Sequence, residues 1–222
     1  FIAADETNVG RAFVISSSLP GEGKTTISLN LATVLAEAGE RVLLIDGDLR
    51  RPRIAKYLGL ETKIGLTTVL IGKASPGDVL QKTQIKNLTV MASGGVPPNP
   101  SELLASKGME QLLDTARNLF NYIIVDSAPL LPVTDAAILS RQTDGIIVVG
   151  DVSGTTVPQL ETALDSVRSA NGTVLGIVLN KLNRERRSHS QRYGYYYYGQ
   201  EYYEENESQN RQASRAKKKN DR

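Results

Sequence analysis

Six short runs of β-branched and other apolar residues constrain this chain most. They occupy residues 12–15, 42–45, 88–91, 122–125, 146–149 and 175–179. None alternates between apolar and polar positions, so none suits a sheet with one wet face. Near-continuous apolar character belongs to strands buried on both sides, as in a parallel sheet covered by helices on each face. Helical spacing fills the intervals. Across residues 25–38, Ile27, Leu31, Val34, Leu35 and Ala38 fall at i, i+4, i+7, i+8 and i+11, and Gly39 stands where a C-terminal cap belongs. Further helices are expected over residues 101–119, 134–140 and 158–170. The predicted fold is α/β, a doubly wound, mainly parallel sheet flanked by helices. In that class ligands bind at the carboxyl ends of the strands.

Composition narrows the chemistry. The 222 residues include no cysteine and one histidine. A disulfide framework, a thiolate-held cluster, a cysteine nucleophile and a Ser-His-Asp triad are thereby excluded or hard to build. No apolar run approaches the roughly 18 residues of a membrane span, so the chain reads as soluble. It starts at Phe1 without a signal-like segment and reads as a piece of a longer protein.

Three polar motifs stand at three strand ends. Ser18-Leu19-Pro20-Gly21-Glu22-Gly23-Lys24-Thr25 follows the first strand and opens the first helix. That is the Walker A pattern in its required setting, with Ser18 in place of the usual first glycine. Its backbone amides and the helix N-terminus would cradle phosphate, Lys24 would reach the β- and γ-phosphates, and the Thr25 hydroxyl would ligate Mg²⁺. Pro20, Gly21, Glu22, Gly23, Lys24, Thr25 and Thr26 are the candidate nucleotide-binding residues. Asp46-Gly47-Asp48-Leu49-Arg50-Arg51-Pro52 leaves the second strand. Two carboxylates there need a cation or a proton; a polar turn is the plain alternative. Asp126, after Ile123-Ile124-Val125, matches Walker B and is a metal-binding candidate. Together the motifs imply a P-loop NTPase using ATP and Mg²⁺. Asn180 and Lys181 close the last strand, where base recognition or a simple turn is expected.

Leu182 is the last apolar core-forming residue; from Asn183 onward there is no Val, Ile, Leu, Met or Phe. The reading is a folded domain over residues 1–182 and a disordered tail over 183–222. The tail holds 10 basic and 6 acidic residues, a net of +4. Tyr193, Tyr195, Tyr196, Tyr197, Tyr198, Tyr202 and Tyr203 crowd into it. Base stacking on single-stranded nucleic acid is one reading of such a cluster; a set of phosphorylation sites is another.

These motifs with a terminal tyrosine cluster resemble the bacterial tyrosine kinase (BY-kinase) family, the cytoplasmic kinase domain of capsular and exopolysaccharide assembly systems. Pro97-Pro98-Asn99-Pro100-Ser101-Glu102-Leu103-Leu104 is also similar to a stretch typical of it. The resemblance implies ATP- and Mg²⁺-dependent autophosphorylation of the tail tyrosines, in trans. It implies Lys24, Asp46, Asp48 and Asp126 as catalytic residues, with Thr25, Asp48 and Asp126 serving the metal and Asp46 orienting or deprotonating the acceptor. It further implies a ring-type homo-oligomer, a membrane activator segment or polysaccharide copolymerase, a tyrosine phosphatase and no nucleic acid, at the cytoplasmic side of the bacterial membrane. Each phosphotyrosine adds about −1.5 to −2 charge, so full modification of the tail would reverse its sign and make neighbouring tails repel. The competing readings are a partition- or cell-division-type ATPase switch and a non-catalytic ATP-binding scaffold. The former usually carries an extra lysine early in Walker A, where this chain reads Ser17-Ser18-Leu19-Pro20.

Overall fold

A computed structural model describes residues 9–182; the expected tail and its seven clustered tyrosines lie outside the described residues. The elements in chain order are β1 (Arg11–Ser17), α1 (Lys24–Glu37), β2 (Val42–Asp46), α2 (Ile54–Leu58), α3 (Leu66–Leu70), α4 (Pro76–Val79), β3 (Leu80–Lys82), β4 (Leu88–Met91), α5 (Pro100–Leu104), α6 (Lys107–Arg117), β5 (Tyr122–Asp126), α7 (Asp135–Gln142), β6 (Gly145–Asp151), α8 (Val157–Ser169) and β7 (Val174–Asn180). All seven strands form one sheet in the order β3-β4-β2-β5-β1-β6-β7. Only the β3–β4 pair is antiparallel. All six apolar runs are strands of this sheet; the three-residue edge strand β3 is the addition.

Successive side chains along a strand face opposite ways, and the chain uses both faces. In β1, Ala12 and Val14 join Leu43, Ile45, Ile123 and Val125 in a core with residues of α6, α7 and α8. Phe13 and Ile15 join Val42, Leu44 and Ile124 in a second core under α1. The central strands therefore need apolar residues at every position, as the sequence shows.

Three expectations change. First, the inward stripe of α1 is Thr25, Ser28, Ala32 and Ala36. Ile27, Leu31 and Leu35 flank it, half-buried, whereas Val34 is 61% exposed and Ala38 is also exposed. Small and hydroxyl residues let the helix lie close on the sheet, and two of them bond to a strand carboxylate. Second, the helix expected over residues 101–119 is broken into α5 and α6. Ser106 takes an extended conformation at the break, as suits a residue that favours helix starts over interiors. Third, β7 is half-buried on one face and exposed on the other. Leu175, Ile177 and Leu179 are 47%, 44% and 59% exposed. It is an edge strand, and α8 packs its Ala163 and Val167 into the core containing Ile146 and Val148 of β6. Gly39, with φ of 98°, follows α1 as expected of a helix-terminating glycine.

Candidate active site

β1, β2 and β5 are neighbours in the sheet and run the same way. Their carboxyl ends therefore deliver the three motifs to one place. The Cα of Asp46 is directly opposite that of Asp126. Gly47 makes this possible at close range: its N–H donates to the Asp126 carbonyl at 2.8 Å, and a Cβ there would fall 2.8 Å from a Val125 methyl.

The side chains converge accordingly. Lys24 Nζ donates to Asp48 Oδ2 at 2.8 Å and lies 3.9 Å from Asp126 Oδ2. The Thr25 hydroxyl donates to Asp126 Oδ2 at 2.7 Å, and the Ser28 hydroxyl to Asp126 Oδ1 at 3.0 Å. Asp46 Oδ2 accepts the backbone N–H groups of Arg53 and Ile54, both at 3.0 Å, which fixes the turn into α2. Asp46 Oδ1 is buried without a hydrogen-bond partner. Burial, then the neighbouring Asp126, pushes the Asp46 carboxyl up to about 7 despite those two amides. Burial also raises Asp126, against the lowering pull of Lys24, Thr25 and Ser28.

The phosphate loop is held from both sides. The Ser16 hydroxyl donates to the Ala128 carbonyl at 2.7 Å and the Ser17 hydroxyl to that of Leu19 at 2.8 Å. Ser18 is fully buried and has negative φ, so the position needs no glycine; positive φ falls on Gly21 and Gly23. Glu22 does not line the cavity. Its carboxylate accepts the Leu19 N–H at 2.8 Å and the Thr155 hydroxyl. Asn180 Nδ2 donates to the Glu22 carbonyl at 2.9 Å. Lys181 pairs with Asp151 at 2.8 Å. Asn180 thus bonds the backbone of the loop, and Lys181 pairs with the last residue of β6.

A cavity of about 430 Å³ opens over this cluster, walled by Pro20, Gly21, Gly23, Lys24, Thr25 and Thr26 on one side and Asp48, Arg50, Arg51, Arg53 and Tyr57 on another. The sequence reading missed what positions Arg50. Asp135, fully buried at the start of α7, accepts Arg50 Nε at 2.7 Å and Nη2 at 3.0 Å, and the Ser101 hydroxyl at 2.6 Å. Ser101 belongs to the Pro97–Leu104 stretch, so that motif's contribution here is to brace an arginine of the cavity wall.

The donor set fits a nucleotide with Mg²⁺. Asp46, Asp48 and Asp126 cluster here and Lys24 meets only the last two, a crowding of carboxylates that a divalent cation offsets. Among the described residues no cluster of three His, Cys, Asp or Glu side chains could hold a metal alone. Mg²⁺ does not ask for one, since it keeps waters and takes one or two carboxylates plus phosphate oxygens.

A glycine loop at a helix start, with a hydroxyl and carboxylates from adjacent parallel strands, defines a P-loop nucleotide-binding protein. The family described as the AAA domain matches residues 10–175. Tyrosine-protein kinase YwqD of Bacillus subtilis is 40% identical over 186 residues, covering 84% of this chain and 77% of that protein. Tyrosine-protein kinase ptk of Acinetobacter johnsonii is 41% identical over 170 residues, covering 77% of this chain but 23% of that protein. The kinase domain of Escherichia coli tyrosine kinase ETK superposes with a TM-score of 0.79 at 34% identity, over 87% of this chain and 75% of that one. The septum site-determining protein MinD of Pyrococcus horikoshii, solved with Mg-ADP, superposes at 0.68 with 26% identity, over 80% and 73%. The chain belongs to the bacterial tyrosine kinases, and it is a protein-tyrosine kinase on the P-loop fold. Among the described residues no helix is long and apolar enough to cross a membrane.

Proposed function

We propose that the chain transfers the γ-phosphoryl group of ATP, with Mg²⁺, to tyrosines of its own tail: Tyr193, Tyr195, Tyr196, Tyr197, Tyr198, Tyr202 and Tyr203. The observation that carries the chemistry is that Lys24, Thr25 and Asp48 line one cavity, with buried Asp126 bonded to Thr25 and near Lys24. Gly21–Thr25 amides and Lys24 bind the phosphates, and Lys24 exchanges its bond to Asp48 for the β- and γ-oxygens. Thr25, Asp48 and Asp126 hold Mg²⁺, which when bound neutralises charge on those oxygens. The acceptor tyrosine oxygen forms a bond to the γ-phosphorus as the bond to the bridging oxygen breaks, and ADP departs. Asp46 orients or deprotonates the incoming hydroxyl. Asn180 and Lys181 serve base recognition from the end of β7.

The reaction runs in trans between copies of a ring-type homo-oligomer. A membrane activator segment or polysaccharide copolymerase holds the chain at the cytoplasmic face of the bacterial membrane, and a tyrosine phosphatase resets the tail. The system served is capsule or exopolysaccharide synthesis and export. Incubation with labelled ATP and Mg²⁺, followed by mass-spectrometric mapping, tests the core of this reading. Label is expected on the tail and absent from Lys24→Met. ATP bound and hydrolysed with no label on tyrosine would instead make the chain an ATPase switch.

A further inference from the structure

Part of the cavity wall is basic. Arg50, Arg51 and Arg53 all line it, yet only Arg50 is committed, to Asp135 and Ser101. The Arg51 side chain has no hydrogen bond or ion pair among the described residues. The Arg53 guanidinium meets only the Tyr57 hydroxyl, at 3.4 Å. Both side chains are exposed, but their backbones are fixed by the site carboxylates. Arg51 N–H donates to Asp48 Oδ1 at 3.0 Å, and Arg53 N–H to Asp46 Oδ2 at 3.0 Å.

The carboxylates facing these arginines are already engaged. Asp48 holds Lys24, and Asp135 holds Arg50. Asp46 is buried in the turn. Two uncommitted guanidinium groups are therefore carried at a set distance from the reacting centre, on the turn that bears Asp46 and Asp48. The phosphates have their own partners, in the loop amides and Lys24. In an in-line transfer the acceptor enters opposite the leaving ADP, and this turn carries Asp46, the residue proposed to meet the acceptor hydroxyl. Guanidinium groups there recognise carboxylates.

The chain's own sequence offers matching anions. Tyr202 and Tyr203 stand among Glu201, Glu204, Glu205 and Glu207, whereas Tyr195–Tyr198 lie between Gly194 and Gly199 with Arg192 nearby. We propose that Arg51 and Arg53 form an acceptor-selecting site for glutamate beside the tyrosine, so that acidic tyrosine peptides, and Tyr202 and Tyr203 in this chain, are the preferred acceptors. The proposal rests on the tail being the substrate.

Two peptides of this chain, residues 190–200 and 199–209, separate the possibilities when offered to the intact protein with ATP and Mg²⁺. The acidic peptide is expected to have the higher kcat/KM, by about threefold to tenfold for two exposed ion pairs, with the difference shrinking as salt rises. In the Arg51→Gln/Arg53→Gln double variant the preference disappears, while KM for ATP with the 190–200 peptide stays unchanged. Equal use of both peptides by the unaltered protein, or a preference surviving in the double variant, overturns the proposal and leaves tail phosphorylation standing. A raised KM for ATP with an intact peptide preference would reassign the arginines to the nucleotide and also overturns it. Phosphorylation of neither peptide, with ATP bound, removes both this inference and the tail-kinase reading.

Discussion

Replacing Glu22 tests whether the phosphate loop is rigid because of a buried carboxylate behind it. Glu22 is only 4% exposed. It accepts two hydrogen bonds, from the Leu19 N–H at 2.8 Å and from the Thr155 hydroxyl. Thr155 in turn accepts the Asp151 N–H at 2.8 Å, so the carboxylate links the loop to the segment after β6. Hydrogen bonds to a charged group contribute about 1.5–3 kcal/mol each, and an amide left unsatisfied loses about 1–3 kcal/mol. The two bonds share one acceptor group and are not additive. Glu22→Ala should therefore lose about 2–4 kcal/mol, which for a folded unit of this size lowers Tm by roughly 5–15 °C. Glu22→Gln keeps the shape. Its amide oxygen can accept Leu19 N–H while its NH₂ donates to Thr155 Oγ1, so the loss should be about 1 kcal/mol. Denaturant melts give the stabilities, and nucleotide titration gives the loop. Both variants bind ATP more weakly in the order Ala worse than Gln, although neither changes a residue lining the cavity. Equal stability of the Ala variant and the unaltered protein, or a Gln variant no better than Ala, would refute the carboxylate clamp.

Other sites give sharper or opposite expectations. Gly23 has φ of 100°, and a Cβ there would fall 2.2 Å from Asn180 Nδ2; Gly23→Ala should weaken ATP binding by more than about tenfold, or 1.4 kcal/mol. Adding Asn180→Ala removes the clash but not the backbone strain, so calorimetry should show partial recovery only. Asp135→Ala strands the Arg50 guanidinium, which is 37% exposed and can turn to water. The expected loss is therefore about 2–3 kcal/mol by urea melts, below the 3–5 typical of a fully buried pair, with Ser101→Ala near 1 kcal/mol. On β7, Leu179→Gln should change stability by less than about 0.5 kcal/mol. Leu44→Ala, fully buried in β2, should lose about 2–5 kcal/mol; comparable losses would mean that the open face of β7 is covered.

The central sheet was legible because its strands are buried on both faces and need no alternation to be interpreted. The three motifs were legible because a turn that leaves an apolar strand with a lysine or carboxylate has few physical excuses. What escaped the sequence are properties settled between distant segments. Whether β7 is covered depends on where α8 lands, and nothing in residues 175–179 encodes that. β3 is three residues long, too short to show a period. The partners of Asp135 are 85 and 34 residues away in sequence, and Glu22 meets Thr155 across 133.

The misjudged face of α1 shows how size enters the same problem. Apolar spacing ranked Val34 and Ala38 as inward, weighing residues by what they gain in leaving water. The sheet instead takes Thr25, Ser28, Ala32 and Ala36, weighing them by how little room they need. A helix that must hand a hydroxyl to Asp126 has to approach β5 closely, and a valine on that stripe would hold it off. The serine and threonine both bond that one carboxylate, at 3.0 and 2.7 Å, and the serine also meets the Lys24 carbonyl at 2.9 Å, so their burial incurs no unpaired hydroxyl. The inward stripe of α1 is thus set by the phosphate chemistry at its N-terminus. Ser28→Ala, which removes only the hydroxyl and adds no bulk, discriminates the two accounts: it should lower affinity for Mg²⁺ with ATP by loosening Asp126, whereas a helix docked by hydrophobicity alone would keep its stability with no change in the metal titration.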